Sequence, residues 1–113
     1  MVVNAVKSRA DFQAAVETTS ASSTDGKKLI VIDCFATWCG PCNAIAPKVT
    51  ELSEKYPDVG FYKVDVDEVS DVAQELGVRA MPTFVFFKNG EKVDEVLGAV
   101  PPAIETAIQK HQG

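Results

Sequence analysis

Apolar positions change their spacing several times along the chain, and each change marks an element. Residues 2–6 predict a short strand, and Phe12, Ala15 and Val16 follow at helical spacing behind Ser8-Arg9-Ala10-Asp11, which reads as a capping box. Residues 18–26 are rich in Ser and Thr, hold no large apolar side chain and close on Asp25-Gly26, so a surface loop without chemistry is expected there. Leu29-Ile30-Val31-Ile32 runs on through Asp33, Cys34, Phe35 and Ala36, the near-continuous apolar pattern of a central strand covered on both faces. Asp33 is the one charge within it.

Ile45, Val49, Leu52 and Tyr56 share one face of a helix that begins near Cys39, with Pro47 inside it as an expected kink. Residues 59–66 read as a strand; Val69, Val72, Ala73 and Leu76 then repeat at helical spacing until Gly77 supplies a stop. Thr83-Phe84-Val85-Phe86-Phe87 and Lys92-Val93-Asp94-Glu95-Val96 flank Asn89-Gly90, a pair suited to the positive backbone angles of a type I′ turn, so a hairpin is predicted. Pro101 and Pro102 fit the first turn of a last helix carrying Ile104, Ala107 and Ile108, because no N–H is needed there. The order βαβαβαββα predicts an α/β fold: a central mixed sheet of five strands flanked by four helices on both faces.

Composition narrows the function. A chain of 113 residues, 46% hydrophobic and 24% charged, suits a single domain over residues 1–113 with a packed core. The net charge is −5 and the 11 Lys and Arg residues are scattered, which argues against a nucleic-acid partner. Residues 1–7 lack the pattern of a secretory signal, and no apolar run is long enough to span a bilayer, so a cytoplasmic protein without membrane contact is expected. In a reducing compartment a structural disulfide framework does not persist, and three cysteines do not support one.

Cys39 and Cys42 therefore need another role. Three apart at a helix start, they lie on one side of the first turn, where their sulfurs can bond. The ring so closed is short, so in the chain-entropy model it stabilises the fold little, and the pair can be oxidised and reduced without unfolding. At the helix N-terminus, unpaired N–H groups and the macrodipole favour the thiolate of Cys39. Lowering a thiol pKa from about 8.5 to about 7 raises the thiolate fraction at pH 7 from roughly 3% to roughly half. Cys39 is thus expected as an exposed nucleophile and Cys42, one turn deeper, as the buried resolving thiol; Gly40 would let substrate backbone approach and Pro41 would stiffen the turn. The competing use of such a pair is half of a zinc site, for which only Cys34 and His111 remain as further ligands. No metal is predicted. Cys34 alternates with Ile30 and Ile32, so it should face away from Asp33 as a core residue, and Phe84, Phe86 and Phe87 are read as core too.

Trp38-Cys39-Gly40-Pro41-Cys42, with Asp33 six positions before the first cysteine, resembles the thioredoxin family. The resemblance spans nearly the whole chain, through Lys63 with Val64-Asp65-Val66-Asp67, Val78-Arg79-Ala80-Met81-Pro82-Thr83, Phe87-Lys88-Asn89-Gly90 and Leu97-Gly98-Ala99. It implies the thioredoxin fold and a protein disulfide reductase that becomes oxidised at Cys39–Cys42. It also implies that Asp33 is a buried carboxylate of raised pKa exchanging the Cys42 proton; an Asp satisfied by hydrogen bonds alone is the alternative. Lys63 would tune Asp33, or else be a solvated charge at a strand end. Met81-Pro82 resembles the family's cis-proline loop, with Met81 backbone holding an extended substrate, and Trp38, Gly98 and Ala99 completing a shallow groove. As partners the resemblance implies thioredoxin reductase, which supplies NADPH and FAD chemistry to a chain binding no cofactor of its own, and clients such as peroxiredoxins, methionine sulfoxide reductase and ribonucleotide reductase. A monomer is expected. Two rival uses stay open: an oxidant or isomerase of a secretory compartment, and a binding module whose dithiol stabilises a complex. Asn43 stands where relatives usually carry Lys or Arg, and the loop at residues 18–26 is longer than in many.

Overall fold

The computed structural model describes residues 3–20 and 28–112. The elements run β1 (Val3–Ala5), α1 (Arg9–Glu17), β2 (Leu29–Phe35), α2 (Gly40–Lys55), β3 (Val59–Asp65), α3 (Ser70–Leu76), β4 (Thr83–Lys88), β5 (Glu91–Leu97) and α4 (Pro101–Gln112), the predicted order. Local chemistry accounts for several of the boundaries. Ser8 caps α1 by accepting the Asp11 N–H at 3.1 Å, and Asp11 in return accepts the Lys7 N–H at 2.9 Å. Gly77 ends α3 at φ 73°, a left-handed conformation that costs a side-chain-bearing residue more. Asn89 and Gly90 both have positive φ, as the type I′ hairpin between β4 and β5 requires.

The strands lie in the order β1-β3-β2-β4-β5. β1, β3 and β2 are parallel, whereas β4 pairs antiparallel with β2 and β5 with β4, giving the mixed sheet of the thioredoxin fold. The alternation of β2 sorts the core. Ile30, Ile32 and Cys34 pack with Phe12 and Ala15 of α1 and Val72 and Leu76 of α3. Leu29 and Val31 face the other way, onto Ile45, Val49 and Leu52 of α2 and Ile104 and Ile108 of α4. Phe84 and Phe86 are wholly buried on that second side, each contributing on the order of 1.5–3 kcal/mol. Phe87 points to the first side and meets Phe12 edge to face, ring centroids 5.8 Å apart.

The expectation of a plain surface loop over residues 18–26 needs correction at its start, while residues 21–26 lie outside the described residues. Thr19 is fully buried. Its hydroxyl donates to the Val16 carbonyl at 2.7 Å and accepts the Gly90 N–H at 2.8 Å, which ties the end of α1 to the β4–β5 turn. A small polar side chain can be buried when both of its hydrogen-bonding roles are filled, and composition alone does not reveal that.

Candidate active site

The end of β2 delivers the chain to a short turn, Ala36 to Trp38, and then into α2 with Cys39 as its N-cap. Cys39 has extended backbone (φ −87°, ψ 111°), and Gly40 and Pro41 form the start of the helix, where the missing N–H of Pro41 leaves no donor unsatisfied. This geometry puts the Cys39 sulfur over the open end of α2, where it accepts the Cys42 N–H at 3.2 Å. The contact and the positive end of the helix dipole both favour negative charge on that sulfur. Cys39 and Cys42, Cα atoms 5.3 Å apart, are joined by a disulfide.

The contrast expected between an exposed Cys39 and a buried Cys42 does not appear, because the two residues are 5% and 4% exposed. The N-cap position turns Cys39 inward to form a small cluster with Ala36 and Cys42, against which Phe35, Val66 and Met81 pack. Position at the helix end, rather than exposure, is what distinguishes the two sulfurs here. The Cys39 sulfur also lies 3.7 Å from the Met81 carbonyl oxygen.

Met81-Pro82 is a cis peptide, as the resemblance implied. Thr83 braces this loop by donating its hydroxyl to the Ala80 carbonyl at 2.6 Å, and Gly98 N–H donates to the Pro82 carbonyl at 2.9 Å. Gly98 sits at φ 97°, so glycine is needed there on backbone grounds. Gly40 differs: a Cβ on it would meet open space, so nothing within the fold demands glycine at that position. Ala99 is exposed beside Gly98.

Asp33 occupies β2 between Lys63 of β3 and Phe84 of β4. By strand alternation it points to the side of Leu29 and Val31, the side that α2 covers. It is 8% exposed, and its Oδ1 is buried without a hydrogen-bond partner. Burial therefore pushes its carboxyl up to about 7, with the Lys63 charge acting in the opposite direction. The alternative of an Asp satisfied by hydrogen bonds is not met at Oδ1. Lys63 itself is exposed, with its ammonium 5.9 Å from the centre of the Phe35 ring.

Trp38 is 68% exposed, an unusual condition for the largest apolar side chain, and its indole N–H donates to Asp67 at 2.9 Å. Asp67 had no role in the sequence reading. A local signal did exist, since Asp65 Oδ1 accepts the N–H groups of Asp67 at 2.9 Å and Glu68 at 3.3 Å, an Asx turn that aims Asp67 toward the turn before α2. Asn43 donates to the Thr37 carbonyl at 3.3 Å and so spans the same turn.

The other sulfur and the imidazole lie elsewhere. Cys34 is wholly buried on the face opposite Asp33, where burial, with the charges of Asp33 and Glu95 adding to it, pushes its thiol up to about 12. His111 meets Asp94 at 2.9 Å. Among the described residues no three His, Cys, Asp or Glu side chains are grouped to hold a metal ion, and no helix is long and apolar enough to cross a membrane.

Residues 3–110 match the thioredoxin family model. A thioredoxin-2 of Pyricularia oryzae is 52% identical over 108 residues; the match covers 96% of this chain and 58% of that longer protein. A thioredoxin-2 of Saccharomyces cerevisiae is 49% identical over 107 residues, covering 95% of this chain and 96% of its own. The solved structure of a Nicotiana alata thioredoxin superposes with a TM-score of 0.89 at 46% identity, covering 98% of this chain and 93% of that one. With a dithiol at the N-cap of α2 and this fold around it, the chain belongs to the thioredoxin family of thiol-disulfide oxidoreductases.

Proposed function

We propose that Cys39 opens the disulfide of a client protein and that Cys42 completes the reaction. The observation that carries this division is the Cys42 N–H donating to the Cys39 sulfur at the N-cap of α2, which favours Cys39 as the thiolate. In the reduced state that thiolate attacks one client sulfur; a mixed disulfide forms and the other client sulfur leaves as a thiolate. Cys42, deprotonated, then attacks the Cys39 sulfur, so that the client departs as a dithiol and the protein is left oxidised at Cys39–Cys42. Two electrons have passed to the client.

Asp33 takes the Cys42 proton in this scheme. A carboxyl near pH 7 is half ionised under working conditions and can both accept and return a proton. Lys63, through its opposing charge, keeps Asp33 from rising further. Met81-Pro82, Trp38, Gly98 and Ala99, with Gly40 and Pro41, form the surface that takes the client.

Thioredoxins bind no cofactor themselves. Regeneration falls to thioredoxin reductase, whose FAD and NADPH supply the electrons, and the protein works as a single-domain monomer in the cytoplasm. A peroxiredoxin is a suitable client, since one similar structure, at 38% identity, concerns thiol resolution in a yeast mitochondrial 1-Cys peroxiredoxin through glutathione and thioredoxin systems. Methionine sulfoxide reductase and ribonucleotide reductase are further clients under this proposal.

The test is reduction of a protein disulfide by NADPH and thioredoxin reductase with wild type, Cys39→Ser and Cys42→Ser. Cys39→Ser should abolish turnover, and Cys42→Ser should accumulate mixed disulfides that denaturing electrophoresis without reductant displays. Turnover that survives Cys39→Ser sinks the scheme; full turnover in Cys42→Ser reassigns the resolving thiol.

A further inference from the structure

Next to the Met81-Pro82 loop, whose neighbours Ala80 and Thr83 line it, lies a cleft of about 380 Å³ bounded by the end of α3, the loop before β4 and the edge strand β5. Arg79, Ala80, Thr83, Lys92, Glu95 and Leu97 are among its lining residues. Its charges are unevenly matched. Lys92 and Glu95 neutralise each other at 2.5 Å. Arg79 is exposed and makes no ion pair or hydrogen bond with the described residues, whereas Lys7, Arg9, Lys48 and Lys55 all have carboxylate partners. In a chain of net charge −5, the cleft thus carries an uncompensated cation.

We infer that this cleft is a specificity subsite, in which Arg79 receives an Asp or Glu side chain lying two or three residues from the reactive cysteine of the client. The inference rests on the client-binding role proposed above. A client sulfur joined to Cys39 is held next to Met81, because the Cys39 sulfur is 3.7 Å from the Met81 carbonyl. Arg79 is two residues from Met81 along the chain. An extended client advances roughly 3.3 Å per residue, so one running alongside residues 79–81 brings a side chain two or three residues from its cysteine level with Arg79. Leu97, 62% exposed on the cleft wall, offers apolar surface for the stem of a Glu side chain. The hydroxyl of Thr83, which holds the Ala80 carbonyl at 2.6 Å, fixes the floor. Guanidinium matches a carboxylate with two parallel N–H donors, a geometry that an ammonium lacks.

The experiment uses the reduced full-length chain and short peptides that each hold one cysteine as a mixed disulfide with glutathione. Glu, Gln or Lys is placed two or three residues to either side, and the rate of reduction is followed by stopped flow. For at least one of these placements the Glu peptide should react about two- to fivefold faster than its Gln counterpart at low salt, the range of an exposed ion pair, and the Lys peptide slower. The Glu-to-Gln ratio should shrink as salt rises, fall to one in Arg79→Gln, and partly return in Arg79→Lys. Equal rates for Glu, Gln and Lys at every placement overturn the subsite while leaving the dithiol chemistry standing. A Glu preference that persists in Arg79→Gln overturns the assignment to Arg79. Failure of wild type to reduce any peptide overturns both readings.

Discussion

Replacing Asp33 by Asn removes one ionisation from the interior, and the consequence for stability follows from its environment. Unfolded, the carboxyl titrates near 3.8; folded, burial holds it at about 7. Between those values the folded state binds the proton that the unfolded state has released, so wild-type stability falls as pH rises through the window. Below about pH 4 the carboxyl is neutral in both states and no penalty remains. Above about pH 7 it is ionised in both, and the full penalty applies. A shift of about 3 units at roughly 1.4 kcal/mol each amounts to about 4 kcal/mol. Asn has nearly the same shape and does not ionise, so Asp33→Asn should gain on wild type by that order between about pH 4 and about pH 8.5. Any fixed difference in hydrogen bonding, including the unpartnered Oδ1, offsets both ends equally and cancels from the pH dependence. The assay is urea unfolding of the two oxidised proteins at constant ionic strength, with the difference in unfolding free energy plotted against pH. A difference that stays flat across the range would falsify the reading, since Asp33 would then ionise when folded as readily as when unfolded.

Three smaller perturbations test other parts of the structure. Thr19→Val keeps the shape but strips the fully buried hydroxyl that accepts the Gly90 N–H, and should lower stability by about 0.5–1.5 kcal/mol, with Thr19→Ser restoring most of it; thermal melts of the three proteins decide. Cys34 in the oxidised folded protein should resist iodoacetamide at pH 8 because its thiol is buried and pushed up to about 12, yet react once urea unfolds the chain; mass spectrometry reads the adduct. Asp67→Ala frees the Trp38 indole, so KM for a protein client should rise about two- to fivefold while stability changes by less than about 0.5 kcal/mol, as expected for an exposed contact; an unchanged KM would mean that the indole needs no tether.

Much of the site was legible because its chemistry is local. A cysteine pair three apart at the start of a predicted helix fixes which sulfurs can bond, and a lone Asp in an apolar strand announces a perturbed carboxyl. Asp67 and Thr19 were not legible in the same way. Each acts through a partner distant in sequence, Asp67 on Trp38 and Thr19 on Gly90, and a short polar side chain looks alike in sequence whether it accepts from solvent or from a distant N–H. The shared burial of Cys39 and Cys42 was missed because neighbours from other elements, Val66 and Met81, pack on the helix end.

The sequence by itself determined the order of the elements, the hairpin at Asn89-Gly90, the side of β2 that each residue faces, and the pairing of Cys39 with Cys42. Those depend on periodicity, turn chemistry and short spacing, which act within a few residues. Only the tertiary structure decided that β3 lies between β1 and β2, that Thr19 meets Gly90 and that Asp67 meets Trp38. It also decided that Arg79 lines a cleft with no ion-pair or hydrogen-bond partner among the described residues. Contacts between segments tens of residues apart are set by how the two core faces pack, and no local pattern records them.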